Sequence, residues 1–206
     1  MFKKITLLMI LLFIYIGCEI SQEEKSAIVI DVYSDQAYLN ALANAKKKKG
    51  YQPFATAPRL DQTRKAAYIS LLNMVRSKGR YCGNRYYKAA PILYWNEKLY
   101  KSAYEHTYDM AGSGVFSHYG SNTISDWTAQ VLHLLHPSFM TDRIRNNGYN
   151  YKYAAENIAK GFDSFEEVVD AWLKSPGHCA NIMNPNLREF AVAKIAGYWT
   201  LEFGSR

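Results

Sequence analysis

From about residue 61 onward the apolar residues recur at two different periods, and that change restricts the fold more than any other feature. Tyr68, Leu71, Leu72 and Val75 lie at helical spacing, with Gly79 after them as a stop. Asn96 is a good N-cap ahead of Leu99, Ala103, His106 and Met110, and Gly112 and Gly114 close that run. Ser164 and Glu167 form a capping box before Phe165, Val168, Val169 and Trp172, and Pro176 is expected to end this helix. The tail alternates instead. Phe190, Val192 and Lys194, then Tyr198 to Phe203, predict two strands around Ala196-Gly197, and Ile158 and its neighbours predict another short strand. Helices that must each bury one stripe against a small antiparallel sheet define an α+β domain with helix layers on the sheet.

The N-terminus carries a different signal. Lys3 and Lys4 precede an apolar run from Ile5 to Ile16 that ends at Gly17-Cys18. The run is shorter than the ~20 residues a bilayer requires and suits the apolar part of an export signal. A small residue before cysteine is what a lipoprotein signal peptidase requires. Cys18 is therefore the expected lipidation site, with residues 1–17 removed. The alternatives are a signal peptide cut elsewhere and an uncut signal anchor. Two or three acyl chains would anchor the protein far more firmly than one. Residues 18–60 read as a tether. Within it a weak helix is expected, capped by Ser34 or Asp35, carrying Tyr38, Leu39 and Leu42, and ending at Lys46 to Lys49 and Gly50. Pro53 and Pro58 then break the chain, and residues 61–206 form the compact domain.

The formal charge is +7, part of it in the lysine run. On an exported chain this suits a solvated face or an aid beside anionic lipid, and does not call for nucleic acid. Apart from Cys18, the cysteines are Cys82 and Cys179, and an even pair in an oxidising compartment suggests one disulfide.

Most of the polar candidates for chemistry lie in FSHYGS with His118, AENIAKG with Glu156, and SPGHCANIM with His178. Together with RSKGRYCG, LYWNEKLYKSAYEHTYDMA, DRIRNNGY and YWTLEFG, these segments resemble the CAP superfamily, or SCP-like domains, in its bacterial form. The resemblance runs from about Leu71 to Gly204. It implies an α-β-α sandwich and a central cleft in which His118, Glu156 and His178 take the places of two cavity histidines and a glutamate. A second cavity glutamate of many relatives is replaced by Ser175, and the glycine before Glu156 by Ala155. Some members hold a divalent metal through the histidines, and two imidazoles with one carboxylate suit zinc. Bacterial relatives with RYCG and GHC segments pair those cysteines, which implies a Cys82–Cys179 bond. It also leaves no thiol beside His178 for nucleophilic chemistry.

The resemblance implies binding more than catalysis. The expected roles are a surface-displayed module whose cleft takes a lipid, a sterol or a divalent metal, and contact with a host or envelope protein. A metal-assisted hydrolase using Glu156 as base, and a purely structural envelope lipoprotein, are the alternatives. A structural polar network or a solvent-lined cleft is weighed ahead of metal-dependent catalysis. His106, on an apolar helix face, reads as a satisfied core histidine. His133 and His136 are spaced for one helix face and within reach of a shared metal, although their neighbours favour a packing helix. Both lie in an insertion over 123–140, whose Trp127, Leu132, Leu135 and Phe139 supply apolar material to cover the cleft or form a binding surface.

Overall fold

A computed structural model describes the backbone of residues 27–31 and all of residues 57–206. The signal segment, Cys18 and the weak helix expected before Gly50 lie outside the described residues. In chain order the elements are β1 (Ala27–Asp31), α1 (Gln62–Arg76), β2 (Arg80–Cys82), β3 (Arg85–Tyr87), β4 (Tyr94–Trp95), α2 (Glu97–Ser113), α3 (Trp127–Leu132), α4 (Met140–Asn146), β5 (Tyr153–Lys160), α5 (Phe165–Lys174), α6 (Pro176–Met183), β6 (Glu189–Ile195) and β7 (Tyr198–Ser205).

Five strands form one sheet in the order β1-β5-β7-β6-β4. Neighbours run antiparallel except β4, which lies parallel to β6 at the edge. The sequence places no strand before Asp61, yet Ala27–Asp31 pair with β5, Ile28 opposite Glu156. The central hairpin is as expected. Its turn places Ala196 at φ 47° and Gly197 at φ 80°, the two positive angles that a tight hairpin turn of matching twist requires.

Alternation along β5, β6 and β7 gives the sheet two unlike faces. One presents Phe190, Val192, Trp199, Leu201 and Phe203 to α1, α5 and α6. The other presents Ala154, Ala191 and Ala193, small enough for α2 to approach through Leu99, Tyr100 and Ala103. The result is helix, sheet, helix, the sandwich expected. Gly204 belongs to the same close approach: a Cβ there would lie 2.5 Å from the Tyr149 ring.

The expected caps are present. Asn96 Oδ1 accepts from the Lys98 and Leu99 amides at 2.9 and 3.3 Å, and Gly114 closes α2 in the left-handed region. Ser164 and Glu167 form their reciprocal box at α5. Pro176 does more than end α5. It occupies the first turn of α6, where its missing N–H costs no hydrogen bond, so SPGHCANIM is helical where no helix was expected. Cys179 on α6 bonds Cys82 on β2 with a Cα–Cα distance of 5.4 Å, tying the β2–β3 hairpin to the helix layer.

The reading of VLHLLHP needs correction. α3 stops at Leu132 because His133 adopts φ 53° as its C-cap, and His136 lies beyond the helix. The two histidines therefore share no helix face. His136 instead stacks on Phe139 at 4.7 Å.

Candidate functional site

Glu156 points from β5 toward the α2 layer and is completely buried. His118, in the loop after α2, reaches it with Nδ1 at 2.7 Å from Oε1. Arg143, on α4, donates from Nη2 to Oε2 at 2.9 Å. Both carboxylate oxygens therefore have charged or polar partners. Burial alone would push the Glu156 carboxyl up. The positive charges of His106 and Arg143 and the His118 hydrogen bond outweigh that and hold it low, near 2. His106 is itself driven down to about 3, chiefly by burial and then by Arg143, so near neutrality it carries no charge. Arg143 is thus the cation that keeps Glu156 ionised, and the carboxylate in turn selects the Nδ1–H form of His118.

Arg143 ties three segments together. Besides Glu156, it donates from Nη1 to the Ser138 carbonyl at 2.9 Å and from Nη2 to the His118 carbonyl at 3.1 Å. Burial opposes its charge, but Glu156, Glu202 and Glu105 more than compensate and raise its pKa. Ser138 lies near the end of the insertion. Its amide and that of Asn122 both donate to Asp126 Oδ2, at 2.9 and 3.1 Å, so a buried Asp126 gathers the loop beside the site. Gly120 lets it close, because a Cβ there would collide with that oxygen.

Two more carboxyls complete the cluster. Glu105 on α2 accepts from the Thr128 amide at 2.7 Å and from Asn147 Nδ2 at 2.8 Å, joining α2 to the insertion and to the end of α4. Burial pushes it up to about 7 against those hydrogen bonds. Glu202 on β7 stands opposite Glu156 and accepts from Ser102 Oγ at 2.9 Å. Its pKa rises well above the ordinary value, first through burial and then through the Glu156 charge.

The three residues named from the sequence are therefore not equivalent. His118 and Glu156 meet. His178 lies on α6, which packs on the opposite face of the sheet. Its carbonyl accepts from Asn157 Nδ2 at 3.1 Å, and its ring centroid is 6.4 Å from that of Trp172. All three side chains are buried. Among the described residues, no group of three or more His, Cys, Asp or Glu side chains is placed to hold a metal ion. Glu156 holds His118 Nδ1 and leaves its buried Nε2 without a hydrogen-bond partner among the described residues, but with His178 on the other face of the sheet the second imidazole of the expected zinc set does not join it. His106 is buried as expected but not satisfied: Nε2 lies 2.9 Å from the Ser117 carbonyl and 3.8 Å from Glu156 Oε1, while Nδ1 is buried with no hydrogen-bond partner among the described residues. Arg143, Glu105 and Glu202 were not singled out from the sequence, although each lies in a segment that carries the resemblance. Within a segment, nothing distinguishes a buried arginine from a solvated one.

Comparison with known proteins agrees with this architecture. A protein from Bacillus subtilis (strain 168), YkwD, is 36% identical over 110 residues, 52% of this chain and 37% of its own length. The membrane protein YlbC of the same organism is 24% identical over 152 residues, 72% of this chain and 36% of its own. The chain thus spans little more than a third of the length of either relative. Among solved structures, an extracellular protein containing an SCP domain from Bacillus anthracis superposes with a TM-score of 0.54 at 22% identity, covering 72% of this chain and 45% of that one. An outer surface protein from Borrelia burgdorferi gives 0.53 at 18% identity, covering 72% of this chain and 98% of the other. These two likenesses establish the fold. The profile of the CAP, Cysteine-rich secretory protein family matches residues 69–198, and the chain belongs to that family.

Proposed function

We propose that the chain is an exported binding module, displayed at a membrane surface through lipid on Cys18, rather than a metal-assisted hydrolase. The observation that carries this reading is the occupation of Glu156: His118 and Arg143 take its two oxygens. A carboxylate held this low and fully buried is a poor general base, since catalysis near neutrality favours a base whose pKa lies near the working pH. Recognition then belongs to the outer surface. The insertion exposes Ile124 almost completely and Leu135 completely, with Tyr119 and Phe139 54% and 39% exposed and ring centroids 5.4 Å apart. These apolar groups suit a lipid or an envelope or host protein. The similar structures, one an extracellular protein and one an outer surface protein, support the location. Among the described residues no helix is long and apolar enough to cross a membrane, which leaves anchoring to the N-terminal segment.

Palmitate labelling of wild type and Cys18→Ala tests the anchor, and unchanged labelling in the variant would reject it. Mass spectrometry of lipids co-purifying with wild type and with Ile124→Asp/Leu135→Asp tests the surface. Loss of a co-purifying lipid in the variant is the expected result. Equal lipid content in both would remove the insertion from the reading.

A further inference from the structure

The β2–β3 hairpin carries features that the family site does not use. Between Asp61 and Glu97 the chain has no acidic residue, and Lys78, Arg80, Arg85 and Lys88 crowd the hairpin and its flanks. None of these four takes part in an ion pair among the described residues. Arg80 also keeps a buried Nε without a hydrogen-bond partner there. Tyr81 and Tyr86 stand opposite each other across the strands, 70% and 55% exposed, as an edge-on pair with centroids 5.2 Å apart. On the other side of the ladder Arg85 lies over the Tyr87 ring at 5.1 Å.

This surface is held rigid. Cys82 is bonded to α6, and Gly83 sits where a Cβ would meet the Pro176 ring at 3.1 Å. The Tyr86 ring closes over Gly79, leaving no room for a Cβ. A two-stranded hairpin alone is marginal in water, so the disulfide and these close approaches are what preorganise the tyrosines.

We propose that the hairpin is a binding site for an acidic polysaccharide, independent of the cleft and of the lipid anchor. Tyrosine faces stack against the apolar faces of sugar rings. Arginine and lysine on both sides pair with sulfate or carboxylate groups along the same chain, Arg by its planar fork. A bilayer is the weaker fit. A face that enters the acyl region needs Trp, Phe or Leu, and residues 80–87 contain none of these. The absence of acids over the whole stretch supplies the charge complementarity.

The test measures binding of a size-defined heparin oligosaccharide at about 0.15 M and at higher salt, with hyaluronate as a carboxylate-only comparison. Saturable binding that weakens with salt is expected. Arg85→Ala/Lys88→Ala should lower affinity about tenfold and flatten the salt dependence, as loss of ionic contacts does. Tyr81→Ala/Tyr86→Ala should lower it about tenfold with the salt dependence kept, and Tyr81→Phe/Tyr86→Phe should restore it, because stacking needs the ring. Lys152→Ala/Lys160→Ala, cations elsewhere on the surface, should bind as wild type. Melting temperatures identify any variant that fails to fold, and the phenylalanine pair supplies the folded comparison. Failure to bind either glycan at about 0.15 M salt would overturn the proposal. So would wild-type affinity in the alanine tyrosine pair, or tyrosine-dependent binding to phosphatidylglycerol vesicles without glycan binding.

Discussion

Glu156 and Glu202 face each other across β5 and β7, and the fold shifts the two carboxyls in opposite directions. Arg143 and His118 reach Glu156 and keep it ionised. Glu202 has Ser102 on one oxygen, while its Oε2 is buried with no hydrogen-bond partner among the described residues. Burial and then the Glu156 charge raise its pKa well above the ordinary value. Arg143 thus favours the charged form of Glu156, while burial favours the neutral form of Glu202 beside it.

Arg143 should be the most sensitive position in the domain. Arg143→Met leaves the Glu156 charge buried without its cation and should destabilise by about 3–5 kcal/mol. Arg143→Met/Glu156→Gln should recover much of that loss, since no charge is then left uncompensated. Urea denaturation of the two variants checks this, and equal loss in both would show that Arg143 acts only through its carbonyl contacts. Because the folded pKa of Glu156 is depressed, its contribution is present above its ordinary value of 4.5 and is lost as pH falls toward about 2.

Glu105 has the opposite sign. Its folded pKa is raised from 4.5 to about 7, so its contribution is full below 4.5 and lost as pH rises through 7. Glu105→Gln removes that titration. Between those limits the stability of the variant should fall less with pH than that of wild type, as read from denaturation midpoints at several pH values. Parallel profiles would mean that Glu105 is ionised throughout.

The disulfide closes a loop with a sequence separation of 97. Replacing Cys82 and Cys179 together by serine should cost on the order of 4 kcal/mol in the chain-entropy account. Thiol titration of the denatured, unreduced protein should find neither cysteine reactive.

His118→Ala removes one of the groups holding the Glu156 carboxylate and should cost about 1.5–3 kcal/mol, the range for a hydrogen bond to a charged group. Zinc should leave the melting temperature of wild type unchanged. A zinc-dependent rise in wild type that disappears in His118→Ala would instead establish a metal site.

What local order determines was already present in the sequence. Asn96, the Ser164–Glu167 box and Ala196-Gly197 act on backbone groups a few residues away, so caps and hairpin follow from neighbours alone. Alternation likewise fixes which residues of a strand share a face, although helices bury both faces of the central strands, and the quoted segments were enough to recognise the family. The rest depends on partners far along the chain. Ser102 meets Glu202 across a separation of 100, and Arg143 joins an insertion, a loop and a strand that no local pattern links. His178 lies on the helix that Pro176 opens, and Cys179, Ile182 and Met183 of that helix pack on the sheet face opposite Glu156. The direction in which each carboxyl shifts was decided last. That depends on the distance to one guanidinium in a buried, weakly screened site, and such distances exist only once the layers have packed.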